Sequence, residues 1–175
     1  PTELLRARPE IVVILGLRGA GKSTVGPSLG ARLGVPFIEL DQRVEEAAGL
    51  SLDQIWELHG EAYYRQVERE ALERLLATVP RAVLATGGGI VTDRGTFDLL
   101  RRNTITIWLR ARPEVHWDRV VAQGDRRPMG NDPLAKERLR RLHAERESLY
   151  REAQHVVDVS DRGVEIDERC TGCGV

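Results

Sequence analysis

The run Ile11-Val-Val-Ile-Leu-Gly-Leu-Arg-Gly-Ala-Gly-Lys-Ser-Thr24 constrains this chain more than any other stretch. Five apolar residues lead straight into Gly16-x-x-x-x-Gly21-Lys22-Ser23. Glycines at these positions let the backbone fold tightly, so that successive N–H groups point inward at phosphate oxygens. The β-branched run before the loop reads as a buried strand, and Val25, Leu29 and Leu33 after it fall at helical spacing. A helix starting near Lys22 then aims its positive end at the same phosphates. Lys22 suits a bridge between the β- and γ-phosphates, and the Ser23 hydroxyl suits a site on Mg²⁺. A glycine turn without a ligand would not require the Lys-Ser pair, so the loop predicts ATP and Mg²⁺ as cofactors.

At 175 residues the chain is one domain by its size, long enough to bury ~70% of its unfolded surface without disulfides or metals. A net charge of −1 gives the whole chain no field for nucleic acid or membrane. No stretch approaches the ~18 apolar residues of a membrane span, and no signal peptide opens the chain, which predicts a cytoplasmic protein. The first residue is Pro1 and the sole methionine is Met129, the pattern of a chain processed or cut from something longer. Cys170 and Cys173 form one Cys-x-x-Cys beside glycines near the end. Without further ligands nearby, this reads as a tail rather than a metal site.

Strand and helix signals alternate along the rest of the chain. Residues 1–10 read as a lead-in, 11–160 as the folded domain and 161–175 as the tail. A helix over 22–33 is followed by a strand over 36–40 that delivers Asp41 at its end. Short helices at 42–48 and 52–58, capped by Ser51, precede a break at His59-Gly60 and a long helix over 61–77. In that helix Tyr64, Val67, Ala71, Leu75 and Leu76 make the apolar stripe, with Glu and Arg filling the other face. Strands at 82–85, 104–109 and 155–159 alternate with helices at 96–101, 113–123 and 134–153. Gly124–Asp132 has the polar, glycine- and arginine-bearing look of a mobile lid. The alternation predicts an α/β fold with a parallel sheet covered on both faces.

A phosphate loop alone leaves the acceptor open between water, a small molecule and no acceptor at all. Asp41 falls at the carboxyl end of a strand, where ligands of open α/β sheets bind, and a carboxylate there can orient and deprotonate a hydroxyl. Arg65 and Arg146 can each form the forked pair with a carboxylate that lysine cannot. The Gly87-Gly-Gly89 run after a strand exposes backbone amides to the same ligand, and Arg127 in the lid can neutralise charge on a transferred phosphoryl. Together they describe a small, hydroxylated anion beside ATP.

These landmarks, in this order, resemble the shikimate kinase family over nearly all of residues 11–160. They run as Gly16–Thr24, Phe37-x-Glu-x-Asp41, Gly60-Glu-Ala-Tyr-Tyr-Arg65-x-x-Glu68, Ala85-Thr-Gly-Gly-Gly89, Arg127-Pro128 and Arg146-x-x-x-Tyr150. The resemblance implies a three-layer α/β/α P-loop fold with a five-stranded parallel sheet in the order 2-3-1-4-5. It implies ATP on Gly16, Gly19, Ala20, Gly21, Lys22, Ser23, Thr24, Arg119 and Arg127, and metal near Ser23 and Glu39. Shikimate would lie against Asp41, Arg65, Gly87, Gly88, Gly89 and Arg146, its 3-hydroxyl receiving the phosphoryl group, with Asp41 as base and Lys22 and Arg127 as stabilisers.

Some details depart from that family. Glu39 stands where aspartate is usual, Arg18 replaces an apolar loop residue, and no apolar helix pattern follows Val159. Gly88-Gly-Ile-Val-Thr-Asp93, Trp108-Leu and Ala122-Gln-Gly-Asp-x-Arg-Pro-Met129 are similar to the shikimate-kinase-like domain of benzoyl-CoA-responsive transcription regulators. That likeness implies a sensor of an aromatic acyl-CoA, with DNA as a partner only through a preceding helix-turn-helix domain. Kinase chemistry is the leading expectation and the sensor the alternative. A plain ATPase is weakest, because no residue stands out to position water. The three tryptophans are expected in packing roles, and the four histidines show no metal spacing.

Overall fold

The computed structural model describes residues 10–122 and 134–160. The lead-in, the lid with Arg127, and the Cys170/Cys173 tail lie outside the described residues. Five strands form one parallel sheet: β1 (Glu10–Leu15), β2 (Phe37–Glu39), β3 (Arg81–Ala85), β4 (Ile105–Arg110) and β5 (His155–Asp158). Their order is β2-β3-β1-β4-β5, as the resemblance implied. β1 is central, with Val13 in register with Leu84 on one side and Thr106 on the other.

Alternation along β1 divides the interior in two. Ile11, Val13 and Leu15 enter a large cluster with Leu72, Leu84, Ile90, Phe97 and Leu100, while Ile14 joins a smaller one with Val83 and Leu109 on the opposite face. Side chains two apart on a strand share a face, so each face carries its own helices. The smaller cluster is covered by α1 (Lys22–Leu33). Here the periodicity reading needs correction, because Leu33 is 46% exposed and the buried positions of α1 are Gly26 and Gly30. A Cβ at Gly26 would collide with the Phe37 ring, so the missing side chain is what lets the helix approach β2.

The larger cluster is covered by α2 (Leu40–Ala48), α3 (Leu52–Thr78) and α4 (Arg94–Asn103), the last preceded by a 3₁₀ turn at Ile90–Thr92. Ser51 caps α3 through a reciprocal box with Gln54, and Gly60 breaks it at φ 76°, where the sequence placed the interruption. β2 stops at Glu39, one residue short of the expected strand, so Asp41 sits in the first turn of α2. α5 (Pro113–Ala122) and α6 (Ala135–Tyr150) close the carboxyl end, and Tyr150 stacks on Trp108 at 5.5 Å. Among the described residues, no helix is long and apolar enough to cross a membrane.

Candidate active site

The phosphate loop takes its shape from three glycines. Gly16, Gly19 and Gly21 have φ of 150°, 79° and 95°, a region that side chains with a Cβ rarely enter. Gly21 caps α1 with no side-chain hydrogen bond, which leaves the N–H groups of Lys22 and Ser23 at the start of the helix available to an anion. Lys22 folds back over the loop, its ammonium donating to the Gly16 carbonyl at 2.6 Å and the Leu17 carbonyl at 3.0 Å. Burial lowers its pKa to about 8, with Arg18 pushing the same way and Asp41 and Glu39 pulling back. Ser23 donates to Oε1 of Glu39 at 2.7 Å, so the two residues expected at the metal share one spot. A hydroxyl and a carboxylate are the hard oxygen donors that Mg²⁺ takes, and this pair fits it.

The second half of the site is built by α2, α3 and the glycine turn after β3. The Tyr64 hydroxyl stands between two carboxylates, 3.3 Å from Asp41 Oδ1 and 3.0 Å from Glu68 Oε1. Burial raises the pKa of Asp41, and hydrogen bonding to Tyr64 and the charge of Lys22 oppose it. Glu68 is also raised by burial, against the pull of Arg65. Arg65 donates to Glu68 at 2.8 Å and lies over the Tyr64 ring. The glycines explain themselves here: a Cβ at Gly89 would run into the Arg65 guanidinium, and one at Gly87 would meet Asp41 and Tyr64 at 3.2 Å. Arg146 of α6 donates to the Gly88 carbonyl at 3.0 Å, and the Tyr150 hydroxyl donates to the same oxygen.

Both halves open onto one cleft of about 770 Å³. Gly19, Gly21, Lys22, Ser23, Thr24, Glu39, Asp41, Arg65, Gly87–Gly89 and Arg146 all line it, which gathers residues spread over more than half the chain. Of the other sequence-selected loop residues, Gly16 lies beneath the rim and the Ala20 methyl is buried in the smaller cluster. Arg119 donates to the Val159 carbonyl at 3.0 Å and reaches the Ala20 carbonyl at 3.5 Å, a place behind the loop.

Two features were not read from the sequence. Trp56, expected to pack in the core, is 42% exposed and forms a wall of the cleft beside Leu52 and Leu142. Glu68, named only as a member of the family motif and given no role, is fully buried. The spacing Leu52–Trp56, one helical turn, followed by the Gly60 break, was the available signal for that wall.

Fold and site together define a P-loop protein of the small-kinase type, with a nucleotide loop beside a pocket for a second anion. The shikimate kinase family model matches residues 18–171. A shikimate kinase of Rhodopseudomonas palustris is 42% identical over 150 residues, covering 86% of this chain and 73% of the relative. One of Caldanaerobacter subterraneus is 39% identical over 155 residues, covering 88% and 89%. The structure of shikimate kinase from Acinetobacter baumannii in complex with shikimate superposes with a TM-score of 0.79 at 30% identity, over 93% of this chain and 89% of that one. The chain belongs to the shikimate kinase family.

Proposed function

We propose that this chain transfers the γ-phosphoryl group of ATP to the 3-hydroxyl of shikimate. The observation that carries the proposal is the shared cleft, where the phosphate loop and the Asp41–Arg65–Arg146 group face each other with the glycine turn between them. The solved relative in complex with shikimate supports the acceptor's identity.

The chain's own groups divide the work. Arg65 and Arg146 take the acceptor's carboxylate, a planar anion that guanidinium forks match. Asp41 accepts the hydroxyl proton, and its raised pKa makes it a stronger base than an exposed aspartate. Lys22 gives its remaining N–H to the phosphates, where its charge offsets that developing on the transferred group. Ser23 and Glu39 hold Mg²⁺, which neutralises phosphate charge when bound. Arg127, outside the described residues, would offset the same charge, as the family resemblance implies. Trp56 and Leu52 exclude water from one side, favouring transfer over hydrolysis.

The effector-sensing alternative rests on sequence likeness alone, and no contact or comparison adds to it. The deciding measurement is ADP formation by the purified chain with ATP, Mg²⁺ and shikimate. Turnover that needs shikimate and disappears in Lys22→Ala and Asp41→Asn is the expected result; shikimate-independent or absent turnover overturns the proposal.

A further inference from the structure

In the glycine turn after β3 every carbonyl is occupied. Gly87 accepts from the Ile90 N–H at 3.2 Å, and Gly89 accepts from the Thr92 N–H at 3.0 Å and the Thr92 hydroxyl at 2.7 Å. The Gly88 carbonyl accepts from Arg146 at 3.0 Å and from the Tyr150 hydroxyl. The donors of the turn are in the opposite condition. Among the described residues, none of the N–H groups of Gly87, Gly88 and Gly89 donates to a protein atom, and all three residues line the cleft. A backbone donor at a cleft without a protein partner is left for whatever the cleft binds.

The three carbonyls are not held alike. Those of Gly87 and Gly89 are closed locally by the 3₁₀ turn, whereas that of Gly88 is reached from α6, 58 and 62 residues away along the chain. Its two donors also differ. Arg146 is wanted by the acceptor's carboxylate, and a planar guanidinium that turns its fork on a carboxylate no longer keeps the same aim at a carbonyl. Tyr150 is fixed: it is 2% exposed, and its ring stacks on Trp108 at 5.5 Å with the planes 11° apart. Burial raises its pKa against the pull of Arg146, so the phenol keeps the one proton it donates. On the other side the turn abuts the phosphate loop, since a Cβ at Gly88 would meet the Gly16 carbonyl and Leu17 Cα at 3.4 Å.

Three glycines in a row offer no side chain to resist rotation of their peptides, so the turn depends on its hydrogen bonds for its shape. Phenylalanine at position 150 would fill the same space and keep the stack on Trp108; the hydroxyl adds only the bond to Gly88. We propose that Tyr150 is a positioning residue for the acceptor, its buried hydroxyl holding the Gly88 carbonyl, and with it the unpartnered N–H groups of the turn, in place while Arg146 engages the acceptor's carboxylate. This rests on the reading of the Asp41–Arg65–Arg146 group as the shikimate pocket. It gives the end of α6 a task separate from the charge of Arg146 one turn earlier.

Tyr150→Phe tests it, with shikimate and Mg·ADP affinities both taken from calorimetry. The variant should weaken shikimate about tenfold, the scale of one lost hydrogen bond, and leave Mg·ADP within about twofold. In turnover the loss should fall on KM for shikimate, with kcat changed less than about threefold. Unaltered shikimate affinity overturns the proposal, whether or not Tm falls, and so does an equal loss of both ligands, because either result leaves the hydroxyl a structural role alone. If the unmodified protein does not bind shikimate, the acceptor reading falls and this one with it; if it binds and Tyr150→Phe binds equally, only this one falls. Should Tyr150→Phe fail to fold, proton NMR of the unmodified protein decides. A slowly exchanging Tyr150 hydroxyl proton, close to the Gly88 Cα protons and retained when shikimate is added, supports the assignment. Loss of that proton signal on adding shikimate rejects it.

Discussion

The Tyr64 hydroxyl lies 3.3 Å from Oδ1 of Asp41 and thereby ties the proposed base to the long helix α3. A phenol has one proton, and this one also faces Glu68 at 3.0 Å, so it serves only one of two carboxylates at a time. The bond to Tyr64 lowers the Asp41 pKa against the upward push of burial. Tyr64→Phe removes that restraint, and Asp41 then stays protonated to higher pH. The acid limb of the pH–rate profile should move to higher pH, with activity falling more on the acid side than at neutral pH. An unmoved limb would separate Tyr64 from the base.

Lys22 carries its charge at the expense of the fold's stability. Its pKa falls from 10.5 to about 8 on burial, so the folded state binds its proton less readily than the unfolded state does. The penalty is full below about pH 8 and fades as pH rises toward 10.5. Lys22→Met should abolish turnover and raise Tm by roughly 2–4 °C at pH 7. That gain should shrink between pH 8 and 10, which paired melting curves would reveal. In the unmodified protein, KM for ATP should climb above about pH 8 as the loop loses its cation.

Arg65 has two jobs that different substitutions separate. Its side chain is 15% exposed and pairs with Glu68, whose side chain is 0% exposed. Arg65→Ala strands a buried carboxylate, which should cost ~3 kcal/mol and lower Tm by roughly 10 °C. Arg65→Lys retains a cation for Glu68 but not the fork, so most stability should survive while shikimate affinity drops at least about tenfold. Unchanged affinity would remove Arg65 from the acceptor pocket.

The Ser23–Glu39 contact makes a prediction about metal alone. Glu39→Gln keeps the shape and hydrogen-bonding capacity but removes the charge. The Mg²⁺ concentration for half-maximal activity should rise about tenfold, with shikimate affinity unchanged. A magnesium titration that overlays that of the unmodified protein would exclude Glu39 from the metal site.

The phosphate loop and the main polar residues were readable because each follows from a local pattern, whereas the strand order came only with the family resemblance. Gly16–Thr24 is contiguous, and Asp41, Arg65 and Gly87–Gly89 each fall at or soon after the end of a strand or break. What escaped was what depends on contact between elements. Glu68 lies on the apolar stripe of its helix, four residues after Tyr64 and three before Ala71, but its charge reads as surface by residue type, and the bonds from Arg65 and Tyr64 make its burial tolerable. Gly26 and Gly30 carry no hydrophobic signal, yet they form the buried face of α1 because Phe37 fills the space they leave. Trp56 looks like core by composition and stands at the cleft because the Gly60 break turns its helix segment away from the rest of α3.

The Gly16 and Leu17 carbonyls take two of the three N–H donors of Lys22 and leave the third for a phosphate. The two contacts fix a long, flexible side chain within the loop itself. Its charge is therefore already aimed before a phosphate arrives, and little rotamer freedom remains to be lost when one binds.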